Sequence, residues 1–467
     1  MADGGDDGGH VTGARRGCRA TVTEPESRKA ERESIIGGMS ADQARHATPV
    51  SAPGPEAARM ADGAPPRRAP TAERARPDAR GGWLVHVVLL SLALVIGLHL
   101  GLGVVLAAAC PGGHCNDLGV NWFGAPPPAT GWQGLLLGPW LRNDAVYYLQ
   151  IALHGYTAPE ASTGPLGVFF PLFPMLTRAA MAITAGNALL AGLAVNALLS
   201  VAAMTLVAVL VRDEPDATAA RRSAVLLAAS PAAFFLLAPL SEACFVTFTL
   251  GTVVAARRGR IVLASVLAVG ATLARDQGVL VLIPLVFAVA ARWRARAGAR
   301  RLPITWPDTA VVLPPLSLGL FEWYLSGHGY PGGTFRAEAV FMHTRAAAPW
   351  QSLLQGIRLV LSAHVRAGDV LDLVAVLLLA ASLPLMWRRL RRADTAYAAA
   401  SLLVILVHVG GYSPLSSALR FTVTTYPVWL LAATFHPSPR SLRLAVTLLA
   451  AVTVFVAAAV TGFKLVE

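Results

Sequence analysis

The sequence predicts an all-α polytopic membrane protein with about 11 transmembrane helices. Of its 467 residues 55% are hydrophobic, and the mean hydropathy of +0.55 is too high for an ordinary soluble protein. Apolar segments long enough to cross ~30 Å of hydrocarbon recur along most of the chain. Short arginine-rich loops at 257–260, 292–301 and 388–392 separate these segments, as is typical of cytoplasmic loops. The net charge of +12 therefore indicates membrane topology rather than nucleic-acid binding.

Two regions differ in composition. Residues 1–82 are rich in Gly, Ala, Pro, Arg and Glu without apolar periodicity, which predicts a disordered cytoplasmic tail and no signal peptide. Residues 83–467 form the membrane domain. Its first span, about 83–109, leaves the arginine-rich side, so the loop 110–166 is expected outside the cell. Within that loop we expect short interfacial helices at 132–140 and 145–153, with Trp and Tyr at headgroup level.

The arginine-rich loops, expected inside the cell, determine on which side of the membrane each later span begins and ends. A hairpin at 261–291 has its tip at 275–278 on the outer side, and a second at 223–256 has its tip near 240–242. Residues 168–184, with two prolines in four positions, are expected to form a re-entrant or surface helix. The C-terminus is then outside. The remaining spans are expected at about 187–211, 223–238, 241–256, 261–274, 279–291, 308–326, 369–387, 395–412, 421–435 and 441–461.

Asp144 is the most informative single residue. It is an isolated carboxylate in the first outer loop, surrounded by aromatic and apolar residues, and an acid beside lipid is costly unless it is paired or used. Transfer of a sugar from a lipid phosphate to a hydroxyl requires a base for the acceptor proton, which suits Asp144. The alternative is a helix N-cap, a position that Asn143 could fill instead.

Two arginines are candidates for the phosphate that leaves in such a transfer. Arg275 at the hairpin tip and Arg420 before Phe421 lie on the side that carries few arginines, and a guanidinium binds phosphate through two donors. Arg178 is a further candidate, with snorkelling to the interface as its alternative. Glu242 either orients a sugar hydroxyl of the donor or pairs with an arginine, and Asp276 could neutralise Arg275.

Several segments in register resemble the PIG-V family, the mannosyltransferases of GPI-anchor synthesis, and its bacterial relatives. The resemblance covers most of residues 130–435. The matching runs are Asn143-Asp144-Ala145, Tyr148 to Ala152, Gly155-Tyr156, Phe169 to Pro174 with Arg178, Ser230 to Phe235 with Ser241-Glu242, Ala274-Arg275 with Gly278, and Arg420-Phe421 with Tyr426-Pro427. Members of the family often have Trp-Asp at the position of Asn143-Asp144.

The resemblance implies a GT-C glycosyltransferase that uses a polyprenyl-phosphate sugar and carries its acid in the first outer loop. Asp144 is then the catalytic residue, and Arg275, Arg420, Glu242, Gln277 and Arg178 bind the donor's phosphate or sugar. Supporting or acceptor-binding roles are expected for Tyr148, His154 and Tyr156, with a surface position as the alternative for His154.

The sequence predicts no resident cofactor and leaves a divalent metal requirement open. Cys110 and Cys115 flank Pro-Gly-Gly-His in the outer loop, where they could form a small disulfide. A metal site built from these cysteines and His114 lacks a fourth ligand and has the wrong spacing for zinc.

The sequence therefore predicts an inverting mannosyltransferase of the plasma membrane. Its donor is polyprenyl-phosphate-mannose, and its acceptor is an extracytoplasmic glycolipid, glycan or protein. Glucose or arabinose remains open as the sugar. The alternative from another class is a transporter or a flippase for lipid-linked sugars, which predicts inverted repeats and charged residues at mid-span, whereas the polar candidates here gather at one face.

Overall fold

The computed structural model describes nine stretches of the chain. The chain separates into two compact units, Met1–Arg74 and Ala75–Glu467, and the first lies wholly outside the described residues. Most of the predicted tail therefore lies outside the described residues, as do Cys110, His114 and Cys115. The described residues are 78–109, 137–141, 144–156, 165–212, 217–231, 233–297, 304–410, 413–435 and 438–461.

The described residues are almost entirely helical. The α-helices are α1 Asp78–Ala109, α2 Ala145–His154, α3 Leu172–Ala180, α4 Ala188–Arg212, α5 Ala217–Ala228, α6 Ala233–Leu237, α7 Glu242–Arg257, α8 Ile261–Ala274, α9 Leu282–Ala297, α10 Trp306–Thr309, α11 Leu313–Gly327, α12 Gly333–Phe341, α13 Pro349–Val360, α14 Ala367–Arg389, α15 Arg392–Val407, α16 Ala418–Thr424, α17 Pro427–Ala433 and α18 Pro439–Thr461. Short 3₁₀ segments lie at Gly138–Trp140, Pro165–Val168, Asp276–Val281 and Ala310–Val312.

Five helices are long and apolar enough to span a membrane, judged by length and composition. They support a multi-pass helical membrane protein, while the expected count of 11 spans stays a prediction. The five segments are Gly82–Ala108, Ala188–Arg212, Asp276–Ala297, Ala367–Arg389 and Pro439–Ala459.

Several predicted helices have the expected bounds, and others are broken. α1 begins at Asp78, five residues inside the predicted tail. Ser230 and Pro231 interrupt the segment expected to be continuous over 223–238, because proline cannot continue the hydrogen-bond ladder of a helix. The segment expected at 421–435 likewise breaks at Thr425, before Pro427. Residues 168–184 contain only the short helix α3.

One small sheet interrupts the helical fold. β1 (Arg345–Ala346) pairs antiparallel with β2 (His408–Val409), with Ala346 opposite His408. The backbone amide of Ala347 also donates to the carbonyl oxygen of Val407 over 2.9 Å. These bonds hold the segment after α12 against the end of α15, although two-residue strands leave no periodic signal in the sequence.

Helices α7, α8 and α15 each present a polar residue of the candidate site at one end and arginines at the other. α7 runs from Glu242 to Arg257, α8 lies between the flanking residues Arg260 and Arg275, and α15 begins at Arg392 and ends before His408. At the arginine end, Arg257 pairs with Asp394 over 2.5 Å, and the Tyr426 hydroxyl donates to the other oxygen of that carboxylate over 2.7 Å. The helices thus separate a polar cluster at one end from an arginine-rich opposite end.

Candidate active site

Asp144 directs its carboxylate into an ion pair rather than onto its own helix. It stands at the N-cap of α2 with helical dihedral angles (φ −62°, ψ −12°), and its side chain makes no capping hydrogen bond. Instead Arg420 Nη1 donates to Asp144 Oδ2 over 2.6 Å. The N-cap alternative is therefore not observed for this carboxylate. The carboxylate does not cap the helix and instead faces the candidate site. Asn143 lies outside the described residues.

Arg420 bridges two acids that are far apart in the sequence. Its Nη1 binds Asp144, and its Nε donates to Glu242 Oε1. The helix that carries it, α16, begins after Ser417, whose φ of 65° lies in the left-handed region. Asp372 Oδ1 accepts a hydrogen bond from the backbone amide of Leu419 over 2.7 Å. This contact fixes the first turn of α16 and hence the direction of the Arg420 side chain.

Glu242 gathers both arginines in a fully buried position. Arg275 Nη1 donates to the same oxygen, Oε1, that accepts from Arg420. Its other oxygen, Oε2, has no hydrogen-bond partner among the described residues. A buried acid with two arginines is a positioning group that holds them together. The expected alternative for Glu242, pairing with arginine, is therefore the one observed, and Arg275 pairs with Glu242 rather than with Asp276.

The turn between α8 and the following 3₁₀ segment aims Arg275. Arg275 adopts an extended conformation (φ −158°, ψ 157°), and the amide of Gly278 donates to its carbonyl oxygen over 2.9 Å. Gly278 packs so closely against α8 that a Cβ there would overlap the carbonyl group of Ala271. The sequence prediction of a polar hairpin tip is confirmed, and glycine is required there because backbone approaches backbone.

A cavity of about 270 Å³ lies beside this cluster of charged residues. The charged residues Asp144, Arg275 and Arg420 line this cavity, and so does Tyr148. Tyr148 donates its hydroxyl to Ser241 Oγ over 2.7 Å. Burial raises the pKa of Tyr148, so its hydroxyl stays protonated and acts as a donor. The cavity therefore combines a carboxylate, two guanidinium groups and a phenol, which is the set expected for transfer of a group from a phosphate.

Aromatic rings cover both guanidinium groups. The Arg275 guanidinium lies 5.0 Å from the ring centre of Phe421, and that of Arg420 lies 5.4 Å from the ring centre of Phe235. A cation over an aromatic face is attracted by the ring quadrupole, and the rings also keep water from the positive charges. Both rings belong to runs that carried the family resemblance in the sequence.

A second group of polar residues lines the same cavity, and sequence reasoning missed its main members. Glu338 on α12 lies 3.5 Å from His408, measured from Oε2 to Nε2. Burial, together with the negative charges of Asp276 and Glu322, raises the pKa of Glu338 to about 8, against the opposing effect of Arg275. No recognised motif surrounds these residues, so no local sequence signal indicated Glu338.

Gln277 also lines this cavity, whereas the buried Glu242 and three other predicted site residues do not. Arg178 is exposed, and its Nη1 donates to the carbonyl oxygen of Ala152 over 3.4 Å. Tyr156 is buried and donates to the carbonyl oxygen of Phe169 over 2.5 Å. Both border a separate, mainly apolar cavity of about 450 Å³. His154 is exposed and borders neither cavity, which favours its surface alternative.

Among the described residues, no cluster of three or more His, Cys, Asp or Glu side chains could hold a metal ion. Cys244, within the described part of the chain, is a buried free thiol. The predicted pairing of Cys110 with Cys115 lies outside the described residues and stays a prediction.

One known family matches part of the chain. Residues 128–293, about a third of the chain, match the model of a family described as mannosyltransferase (PIG-V). The match includes Asp144, Glu242 and Arg275, whereas Arg420 and Glu338 lie beyond it. Over these residues it confirms the resemblance inferred from the sequence, whereas the runs at Arg420-Phe421 and Tyr426-Pro427 lie outside the match. No curated protein and no solved structure gives a significant match.

Proposed function

We propose that this PIG-V-type membrane mannosyltransferase transfers mannose from polyprenyl-phosphate-mannose to a hydroxyl of an extracytoplasmic acceptor, with inversion at the anomeric carbon and Asp144 as general base. One observation carries the proposal. Asp144 and two arginines from distant parts of the chain meet in a single cavity. Base and phosphate ligands are thus within reach of one bound donor.

The reaction follows from these groups. The acceptor hydroxyl attacks the anomeric carbon of mannose, and Asp144 takes its proton as the new C–O bond forms. The bond from the anomeric carbon to the phosphate oxygen breaks, and polyprenyl phosphate leaves with the electron pair. Because this is one displacement, a β-linked donor gives an α-mannoside.

Arg275 and Arg420 stabilise the departing phosphate. Negative charge grows on the phosphate oxygen as the bond breaks, and fixed cations in a partly desolvated site lower the energy of that state. In the ligand-free cavity Arg420 is paired with Asp144 over 2.6 Å. A phosphate that competes for Arg420 releases the Asp144 carboxylate toward the acceptor hydroxyl. Glu242 keeps both guanidinium groups together throughout.

The directions of the helices support an outer location for this cavity in the plasma membrane. The arginines at the far ends of α7, α8 and α15 are typical of cytoplasmic loops, so the ends with Glu242, Arg275 and His408 face outward. A prenyl-linked sugar in the outer leaflet would meet the cavity at that side. The heavy use of Ala, Arg and Gly suggests a bacterial chain with GC-rich coding.

The test compares the wild type with Asp144→Asn. Purified proteins receive radiolabelled polyprenyl-phosphate-mannose and a membrane lipid extract, and the labelled product is quantified. Asparagine keeps the shape of the side chain but accepts no proton at neutral pH. The rate of transfer is expected to fall by a factor of about 100 or more. Sensitivity of the product to an α-specific mannosidase tests inversion.

Asp369→Asn is the matched control. It removes one carboxylate near the same end of the molecule, and Asp369 does not line the cavity. It is expected to transfer mannose at the wild-type rate. Equal transfer by Asp144→Asn and the wild type would remove Asp144 from the mechanism. If the protein moved the lipid-linked sugar across the membrane of vesicles and transferred no mannose, the flippase alternative would be favoured instead.

A further inference from the structure

Asp372 is an acid within a helix that is long and apolar enough to span a membrane, and the chemistry described above does not use it. It is half-buried in the second turn of α14 and joins no salt bridge among the described residues. An acid in such a helix is costly unless it is paired or used. Its partner is a backbone group, because the amide of Leu419 donates to Asp372 Oδ1 over 2.7 Å.

Asp369, three residues earlier in α14, has an ordinary local role. Its Oδ2 accepts a hydrogen bond from the amide of Arg366 over 3.1 Å, so this acid caps its own helix. Asp372 has the same charge and the same helix, yet it contacts a different helix. The role of Asp372 is therefore not the stabilisation of the start of α14.

The contact of Asp372 supplies a cap that α16 lacks. α16 has only seven residues, and a helix so short is unstable by itself because its nucleation is costly. Ser417 at its N-cap has a left-handed backbone and makes no capping hydrogen bond with its side chain. The first amides of a helix have no partner within the helix, and a carboxylate is favoured beside them. The amide of Ala418 donates to the carbonyl oxygen of Leu415, and α14 provides the acceptor for the next amide.

The capped turn carries two parts of the phosphate site. Arg420 follows Leu419 directly, and Phe421 comes next, with its ring centre 5.0 Å from the Arg275 guanidinium. Ser417, Arg420 and Phe421 all line the cavity. A shift of this turn would therefore move one guanidinium group and the ring that covers the other.

We propose that Asp372 is a positioning residue, which holds α16 so that Arg420 binds the phosphate of the donor. This inference rests on the proposed transferase function and adds that one end of a spanning helix sets the affinity for the lipid phosphate. Asp372 acts through the backbone, since it contacts the amide of Leu419, whereas the Arg420 guanidinium binds two other acids. Most of its effect should therefore vanish when Arg420 is absent.

Direct binding is the first test. Farnesyl phosphate, a short prenyl phosphate, is titrated into the protein in lipid nanodiscs, with the signal of empty nanodiscs subtracted. Asp372→Ala is expected to raise the Kd about tenfold, as for the loss of one hydrogen bond. Asp372→Asn keeps an oxygen that can accept from Leu419, so its Kd should rise by about threefold or less. The control Asp369→Asn is expected to bind as the wild type does.

Hydrogen exchange reports the contact itself without any ligand. The backbone amides of residues 417–424 should exchange faster in Asp372→Ala than in the wild type, and at the wild-type rate in Asp369→Asn. Thermal unfolding shows which variants are folded. If Asp372→Ala does not fold, Asp372→Ser takes its place, because serine stays polar but is too short to reach Leu419.

A double-mutant cycle separates positioning from a general structural role. In an Arg420→Ala background, where Arg275 still binds phosphate, adding Asp372→Ala should raise the Kd by about threefold or less. A tenfold rise in both backgrounds would show that Asp372 does not act through Arg420 and would overturn the inference. An unchanged Kd in folded Asp372→Ala would overturn it as well.

Transfer assays distinguish this inference from the proposed function. With polyprenyl-phosphate-mannose as donor, Asp372→Ala should raise the donor KM about tenfold and leave the acceptor KM unchanged. If the binding cycle behaves as expected but no mannose is transferred, the proposed function is wrong and the positioning role stands. If the wild type transfers mannose and Asp372→Ala has the same donor KM, the inference alone fails.

Discussion

Arg420 makes the contacts that complete the candidate site at the scale of single residues. Its planar fork reaches Asp144 with one nitrogen and Glu242 with another, so one side chain links the proposed base to the group that positions both arginines. A lysine has the same charge but only a single donor atom, and it cannot make both contacts in this arrangement.

Arg420→Lys is therefore expected to reduce kcat/KM for the polyprenyl donor by a factor of about 100 or more, because one ammonium group can neither hold Asp144 and Glu242 together nor bind the phosphate through two donors. The measurement is transfer of radiolabelled mannose at varied donor concentration. Arg358→Lys, at an exposed arginine outside the cavity, should leave kcat/KM unchanged. Equal kinetics for the two variants would show that Arg420 does not bind the donor.

Glu338 links the cavity to pH through folding stability. Burial and the charges of Asp276 and Glu322 raise its pKa from 4.5 to about 8. Between these values the folded protein keeps a proton that the unfolded chain has lost. The unfolded state thus binds fewer protons, and the free energy of unfolding falls as pH rises from about 4.5 toward about 8. This contribution is largest below the unfolded pKa.

Glu338→Gln should flatten this part of the pH profile, because glutamine does not titrate. The slope to be lost is at most about 1.4 kcal/mol per pH unit. Thermal unfolding of the wild type and the variant between these two pH values measures it. Parallel profiles for both proteins would contradict the raised pKa of Glu338.

The sequence predicted those site residues that the neighbouring residues mark as unusual. Asp144 stood out because a lone acid beside apolar segments is costly, and Arg275 because it occupies a hairpin tip. The contact of Asp144 with Arg420 spans 276 positions of sequence, so no local pattern encodes it. Glu338 and His408 lie in segments without a motif, and only the fold brings them to the cavity.

At the scale of elements, the tip between α8 and α9 sets the position of the arginine it carries. Gly278 lies against the carbonyl group of Ala271, where a side chain has no room. Any added atom must push the 3₁₀ turn away from α8, and Arg275 and Gln277 move with it. The geometry of the cavity thus depends on a glycine that does not itself line the cavity.

Gly278→Ala is expected to lower both transfer activity, by about tenfold or more, and the Tm, because the overlap is with backbone that cannot move aside. The matched control is Gly319→Ala in α11, where an added Cβ meets no atom within 4 Å. That variant should match or slightly exceed the wild-type Tm, since alanine favours a helix. Wild-type activity in Gly278→Ala would show that the turn adapts without moving Arg275.

The hydropathy pattern predicted the elements better than their interruptions. The bounds expected for α4, α7 and α8 differ from the observed ones by at most one residue at either end. The breaks at Pro231 and before Pro427 were missed because the apolar run continues through both prolines. β1 and β2 were missed because tertiary pairing alone forms them.

At the scale of the whole molecule, charge sorts the two ends of the helices. Arg292 and Arg296 pair with Asp308, and Arg292 also donates to the carbonyl oxygen of Gly259 over 2.7 Å, so separate arginine-rich loops are tied together at one end. The candidate site lies at the opposite ends of α7 and α8. Loops bound to one another in this way share one side of the membrane. Either these loops or the candidate site therefore face the cytoplasm, and one measurement decides between the two orientations.

Cysteine labelling in intact cells answers that question. In a variant with Cys18, Cys110 and Cys115 replaced by serine, which leaves only the buried Cys244, His364→Cys is expected to react with a membrane-impermeant maleimide, because His364 is exposed just before α14 at the proposed outer side. Arg258→Cys, at the exposed turn between α7 and α8, should react only after permeabilisation. Labelling of Arg258→Cys in intact cells, with His364→Cys protected, would place the cavity in the cytoplasm. The donor would then have to be presented on the inner leaflet, and the proposed extracytoplasmic acceptor would be wrong.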